Sequence, residues 1–127
     1  MKLLLDTHAL LWWEAASPRL GTEARVKISD PHIPVFVSAA SAWEIAVKVA
    51  RGGLDASSER ALAIDEEGFF ELPVTIAHAV ESAELPWHHR DPFDRLLIAQ
   101  ARLEDLTLVA HDERFERYDV DILDAAA

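Results

Sequence analysis

Three leucines, Leu3 to Leu5, form an apolar run that stops at Asp6, the pattern of a short strand buried on both faces. His8 to Ala15 has helical spacing and is broken by Ser17-Pro18, and residues 19–29 suit a second helix ended by Asp30-Pro31. Ile33 to Val37 is β-branched and apolar, a second strand interrupted only by Pro34. Ser38 is placed to cap a helix over Ala39 to Ala50, which Gly52-Gly53 stops. A helix is predicted over 57–67, a third strand over Phe69 to Val74, and a helix capped by Thr75 that runs to about Glu84. Trp87 to Arg90 forms a loop. Asp91-Pro92 then opens a helix to about Glu104, with Asp as N-cap and Pro at the first helical position. Leu106 to Ala110 is the fourth strand and Val120 to Leu123 a candidate fifth, followed by three alanines with the look of a frayed end.

Strands alternate with helices from start to finish, without a linker or an internal repeat. The expectation is an α/β fold, one domain over 1–127, with a mainly parallel four- to five-stranded central sheet covered on both faces. Ligands of such sheets gather beyond the carboxyl ends of the strands.

Composition narrows the class. The 127 residues are 50% hydrophobic and 28% charged, which excludes collagen-like, low-complexity and disordered chains. The absence of cysteine removes disulfides, thiolate metal sites and Cys nucleophiles. No run approaches the ~18 apolar residues of a membrane helix, and Asp6 interrupts the N-terminus too early for a signal peptide. A cytoplasmic protein without a membrane partner is expected. A net charge of −11 repels polyanions at long range, so any nucleic-acid chemistry must rest on a local site.

Four acids stand where acids are costly. Asp6 ends the first strand and Asp112 lies just past the fourth; alone, either is explained as a helix cap. Glu44 belongs to a narrow polar stripe, Ser41, Glu44, Lys48 and Arg51, on an otherwise apolar helix, and a surface pair with Lys48 is the simpler account of it. Asp94 shares a helix face with Leu97, Ile98 and Ala101, where an unpaired carboxylate costs several kcal/mol; its competing role is a capping-box-like pair with Asp91. Together the four fit one arrangement: two strand ends and two first turns at the same sheet edge. Clustered carboxylates repel one another, and a hard divalent cation relieves that repulsion. An all-oxygen set suits Mg²⁺ or Mn²⁺ better than zinc. Such a cation, held by carboxylates, activates water against a phosphodiester. Arg90, Arg95, Lys48 and Arg51 are nearby bases for phosphate contacts, with solvated surface charge as the simpler reading. His8, His88, His89 and His111 fall near the same edge, where one could touch a phosphate or shuttle a proton, although ordinary polar roles suffice. Leu10-Leu11 and Trp12-Trp13 are expected in the core and at a subunit contact.

Four stretches occur in order: Leu3-Leu4-Leu5-Asp6-Thr7-His8-Ala9-Leu10, Ser38-Ala39-Ala40-Ser41-Ala42-Trp43-Glu44-Ile45, His88-His89-Arg90-Asp91-Pro92-Phe93-Asp94-Arg95-Leu96-Leu97-Ile98-Ala99-Gln100-Ala101, and Leu106-Thr107-Leu108-Val109-Ala110-His111-Asp112. In this arrangement they resemble the PIN-domain family, specifically the VapC-type toxin ribonucleases of bacterial toxin–antitoxin pairs. The resemblance covers essentially the whole chain. It implies an α/β/α sandwich and a Mg²⁺- or Mn²⁺-dependent endoribonuclease acting on RNA, with Asp6, Glu44, Asp94 and Asp112 as catalytic and metal-binding residues. It also implies a homodimer and a cognate antitoxin whose C-terminal segment packs over the toxin. Thr7 matches a position often polar in the family; Thr7, Arg90 and Arg95 are candidate substrate contacts, and Asp91 is a possible accessory ligand. The competing function is a catalytically inactive PIN-like protein-binding module. A haloacid-dehalogenase-type phosphatase would need an acid where His8 stands, and a response-regulator receiver would need a lysine after Lys48.

Overall fold

A computed structural model describes residues 1–127. Five strands, β1 (Leu3–Leu5), β2 (Val35–Ser38), β3 (Phe70–Leu72), β4 (Thr107–Ala110) and β5 (Ile122–Asp124), form one sheet in the order β3-β2-β1-β4-β5, every pair parallel. Helices α1 (Thr7–Glu14), α2 (Thr22–Ser29), α3 (Ala39–Ala50), α4 (Ile76–Glu84) and α5 (Pro92–Leu103) alternate with the strands, as the hydrophobic pattern predicts.

The pleat divides the core. Leu3 and Leu5 face one way, into a cluster with Ala9 and Leu10 of α1, Ala24 and Ile28 of α2, and Ile45 of α3. Leu4 faces the other way, onto Leu97, Ile98 and Ala101 of α5 and onto Phe115. All three leucines are fully buried, and each such burial contributes about 1.5–3 kcal/mol relative to exposure. β1 is the central strand, with Leu5 in register with Val37 on one side and Val109 on the other. The chain runs outward through β2 and β3 and then crosses to β4, so the strand order reverses beside β1. The loops after β1 and β4 therefore flank the crevice where such sheets bind ligands.

Several boundaries move for local reasons. β2 begins at Val35, because Pro34 lacks an N–H for the ladder, and β3 stops before Pro73 for the same reason. The predicted helix over 57–67 is two 3₁₀ segments, Ala56–Leu62 and Ile64–Glu67. Asp55 there takes the Ser57 N–H, and the second segment ends at Gly68 with a positive φ of 74°. α2 starts at Thr22, after Leu20 has entered the core.

The C-terminal alanines are not frayed. Ala125 is fully buried, donates to the Ala110 carbonyl at 3.0 Å and accepts from Gly21 at 2.8 Å. A Cβ at position 21 would fall 1.8 Å from the Ala127 carbonyl oxygen, so only glycine lets the two segments meet. No helix is long and apolar enough to cross a membrane.

Candidate active site

Asp6 follows β1 and caps α1: its Oδ1 accepts the Ala9 N–H at 2.7 Å. The simpler capping account of this residue is therefore correct, but incomplete. Asp6 is only 3% exposed, and burial, reinforced by Glu44 and Asp112, outweighs the Ala9 hydrogen bond and raises its pKa to about 7.

Asp94 stands in the first turn of α5. Its pKa is also raised to about 7, by burial first and then by Asp91, Asp6, Glu44 and Asp112. The expected reciprocal capping with Asp91 is half formed. Asp91 Oδ1 accepts from the N–H groups of Phe93 and Asp94, whereas the Asp91 N–H is taken by His89 Nδ1 at 3.2 Å.

The other two acids already have cations. Glu44 is buried, with Lys48 Nζ donating to Oε2 and the Thr7 hydroxyl to Oε1, each at 2.6 Å. Asp112 accepts a forked pair from the Arg114 guanidinium, Nη2 at 2.7 Å and Nε at 3.1 Å, and this holds its pKa below the usual carboxylate value. The predicted quartet thus separates into Glu44 and Asp112, which are compensated, and Asp6 and Asp94, which are not.

Asp6, Asp91, Asp94 and Asp112 line one cavity of about 480 Å³ at the crevice beside β1; Glu44, behind Thr7, is not part of its wall. Arg90 also lines this cavity, while Lys48 is spent on Glu44. No three acidic or histidine side chains converge on one point as a closed ligand cage. Two uncompensated carboxylates nonetheless match the needs of Mg²⁺, which takes one or two carboxylates and keeps several waters.

Two candidate substrate contacts require correction. Arg95 is 3% exposed and is directed inward: its guanidinium donates to the carbonyls of Ser82, Leu85, Pro86 and His89 at 2.7–3.1 Å, and it lies 3.8 Å from the centre of the Trp87 ring. It fastens the loop before α5 and has no face for phosphate. Thr7 is buried as well, and its hydroxyl is spent on Glu44, with Ser41 Oγ at 3.1 Å. It orients an acid instead of meeting a substrate.

The sequence pattern places His89 near the site edge together with His8, His88 and His111, and does not separate it from them. This residue is 3% exposed, and burial, followed by the Arg114 cation, lowers its pKa. Tyr118 is the residue that sequence reasoning missed: its hydroxyl accepts the His89 N–H at 2.9 Å and donates to the Pro86 carbonyl at 2.7 Å. The spacing His-x-Asp-Pro was the available signal for His89, since a histidine two residues before an N-cap can accept the cap's own N–H. Tyr118 left no signal, being 29 residues from its partner.

A family model described as the PIN domain matches residues 3–121. VapBC2 from Rickettsia felis bound to a DNA fragment from their promoter superposes with a TM-score of 0.75 at 15% identity, covering 97% of this chain and 98% of that one. VapC20 from Mycobacterium tuberculosis, a sarcin-ricin loop cleaving toxin, gives 0.68 at 19% identity, over 93% and 95% of the two chains. A toxin–antitoxin complex from Klebsiella pneumoniae gives 0.67 at 17%, over 97% of each. At these identities the likeness is one of fold. No curated protein sequence matches the chain.

Proposed function

The chain belongs to the PIN-domain family, and from that premise we propose that it is a VapC-type toxin, a Mg²⁺- or Mn²⁺-dependent endoribonuclease. The observation that carries this reading is the pair Asp6 and Asp94, both raised to about 7 on the wall of one cavity at the sheet's reversal point. An uncompensated pair of this kind costs stability unless a cation is bound, so its retention at the ligand-binding edge points to chemistry.

Asp6 and Asp94 would hold the ion directly. When bound, it supplies Lewis acidity to a phosphodiester oxygen and acidifies a water. Glu44, oriented by Thr7 and Lys48, and Asp112, oriented by Arg114, would flank that point as ion-paired acids. Asp91, with Oδ1 committed to the cap of α5, is an accessory at the rim. Arg90 and Arg114 both line the cavity; Arg114 is paired with Asp112, so Arg90 is the arginine there proposed to contact RNA phosphate, against a net charge of −11.

The structural neighbours include toxin–antitoxin complexes, which supports a cognate antitoxin partner. Large apolar side chains left exposed, among them Phe70, Ile76 and Val80, are surface that a homodimer would cover. The proposed place of action is the cytoplasm.

The test is cleavage of RNA by the purified protein with a chelator and after Mg²⁺ or Mn²⁺ is restored. Cutting that disappears and returns with the ion is expected. Chelator-insensitive cutting would defeat the metal mechanism, and no cutting with either ion would favour the inactive binding module.

A further inference from the structure

His89 is a buried side chain with an unusual set of neighbours. Its Nδ1 accepts the Asp91 N–H at 3.2 Å, so Nδ1 carries no proton and the neutral ring has its hydrogen on Nε2. Nε2 lies 2.8 Å from Asp94 Oδ2 and 3.7 Å from Asp112 Oδ2. The first separation is that of a hydrogen bond, yet neither oxygen lies in line with the N–H, which has no partner of ordinary geometry. A buried donor in that condition is costly.

The ring cannot easily turn away. The backbone on its two sides is held by Tyr118, through the His89 N–H, and by Arg95, through the His89 carbonyl at 3.1 Å. Its ring packs beside the Phe115 ring, with centres 5.6 Å apart and planes tilted by 36°. Arg95, Tyr118 and the α5 cap therefore converge on presenting one N–H to the carboxylate that lacks a cation of its own.

We infer that His89 is a positioning residue of the acidic site: a neutral imidazole, fixed in its Nε2–H form by the Asp91 backbone, that holds Asp94 through Oδ2 and keeps its carboxylate directed to the cavity. At 2.8 Å the two atoms are close enough that only their alignment separates them from a hydrogen bond. Histidine suits the position because it can accept at one nitrogen and donate at the other while uncharged. Lysine or arginine would neutralise Asp94 outright and compete with a cation for it. The inference rests on the proposal that Asp94 binds a divalent ion.

Two measurements on the full chain without RNA test it. Imidazole ¹⁵N shifts at neutral pH should show His89 with a bare Nδ1 and a protonated Nε2; a proton on Nδ1 would overturn the assignment. Mn²⁺ binding, followed by the electron paramagnetic resonance of the free ion, should weaken about 10–100-fold in His89→Asn and His89→Phe, the range seen when a ligand's outer partner is lost. His89→Gln, whose amide nitrogen reaches the place of Nε2, should recover most of that affinity, whereas a merely structural role would leave Gln no better than Asn. Circular dichroism checks that each variant folds. Parent-like Mn²⁺ affinity in folded His89→Phe would defeat this inference alone. Failure of the parent protein to bind Mn²⁺ would defeat the metal reading and this role with it.

Discussion

Thr7 and Glu44 meet across 2.6 Å, the hydroxyl at the first position of α1 donating to the carboxylate in the second turn of α3. Both side chains are buried, and Glu44 takes its second bond from Lys48. This contact links the segment after β1 to the segment after β2 directly behind Asp6.

Thr7→Val keeps the shape and deletes the donor. A hydrogen bond to a charged, buried group contributes about 1.5–3 kcal/mol, and the urea unfolding midpoint should fall by a corresponding amount. Thr7→Ser should retain most of the stability. Equal midpoints for Val and the parent would show that the contact is energetically idle.

Arg95→Leu should destabilise by about 3 kcal/mol or more, because it leaves carbonyls of the last turn of α4 and of the loop that follows it without donors in a partly dry environment. Arg95→Lys should recover only part, since one ammonium cannot span four carbonyls. Thermal unfolding separates this role from substrate contact: a variant of parental stability with a raised KM would restore Arg95 to the substrate surface.

Asp6 and Asp94 have folded-state pKa values of about 7 against ordinary values of 3.8. Between these limits the native protein retains protons that the unfolded chain has released. His89, lowered by burial, contributes in the opposite sense below its ordinary value of 6.5, but two carboxylates outweigh one imidazole. Metal-free stability therefore declines as pH rises from about 4 to about 7 and then levels off. At the acid end the sign reverses. Asp112 and Asp124, lowered by their hydrogen bonds to Arg114 and to the Ala126 backbone, contribute stability that is lost as pH falls below about 4. Urea midpoints across this range should show both limbs, and saturating Mg²⁺ should flatten the upper one by replacing the protons. A metal-free midpoint that climbs between pH 5 and 7 would contradict the burial argument.

Asp6→Asn and Asp94→Asn should fold, with metal-free stability at pH 8 equal to or above that of the parent, because each removes an uncompensated charge. RNA cleavage should fall about a thousandfold or more, equivalent to about 4 kcal/mol of transition-state stabilisation. Parallel unfolding and cleavage assays decide it: activity lost in step with stability would indicate a structural role.

Much of this arrangement was legible along the chain. Caps announce themselves locally, and Ser38, Thr75 and Asp91 each accept a backbone N–H as expected. Apolar runs and helical spacing located the strands and the α-helices, since a pleat and a helical turn impose their periods on neighbours in sequence. The same logic marked Asp6 and Asp94 as acids among buried apolar residues. The 3₁₀ segments at 56–67 were less legible, because serine, alanine and glutamate tolerate either helix and the choice follows from local capping and packing.

Strand order belongs to the tertiary structure. Only the placement of β1 between β2 and β4 brings Asp6 and Asp112 to opposite sides of one crevice, and no local period encodes which strands pair. Packing likewise decided which charges are free: Arg95 turned inward onto loop carbonyls, Lys48 and Arg114 each took an acid, and Asp6 and Asp94 were left without a cation. Sequence sets the chemical type and the local axis of each side chain. Whether a charge is desolvated, paired or exposed depends on residues dozens of positions away, which meet only when the sheet closes its order.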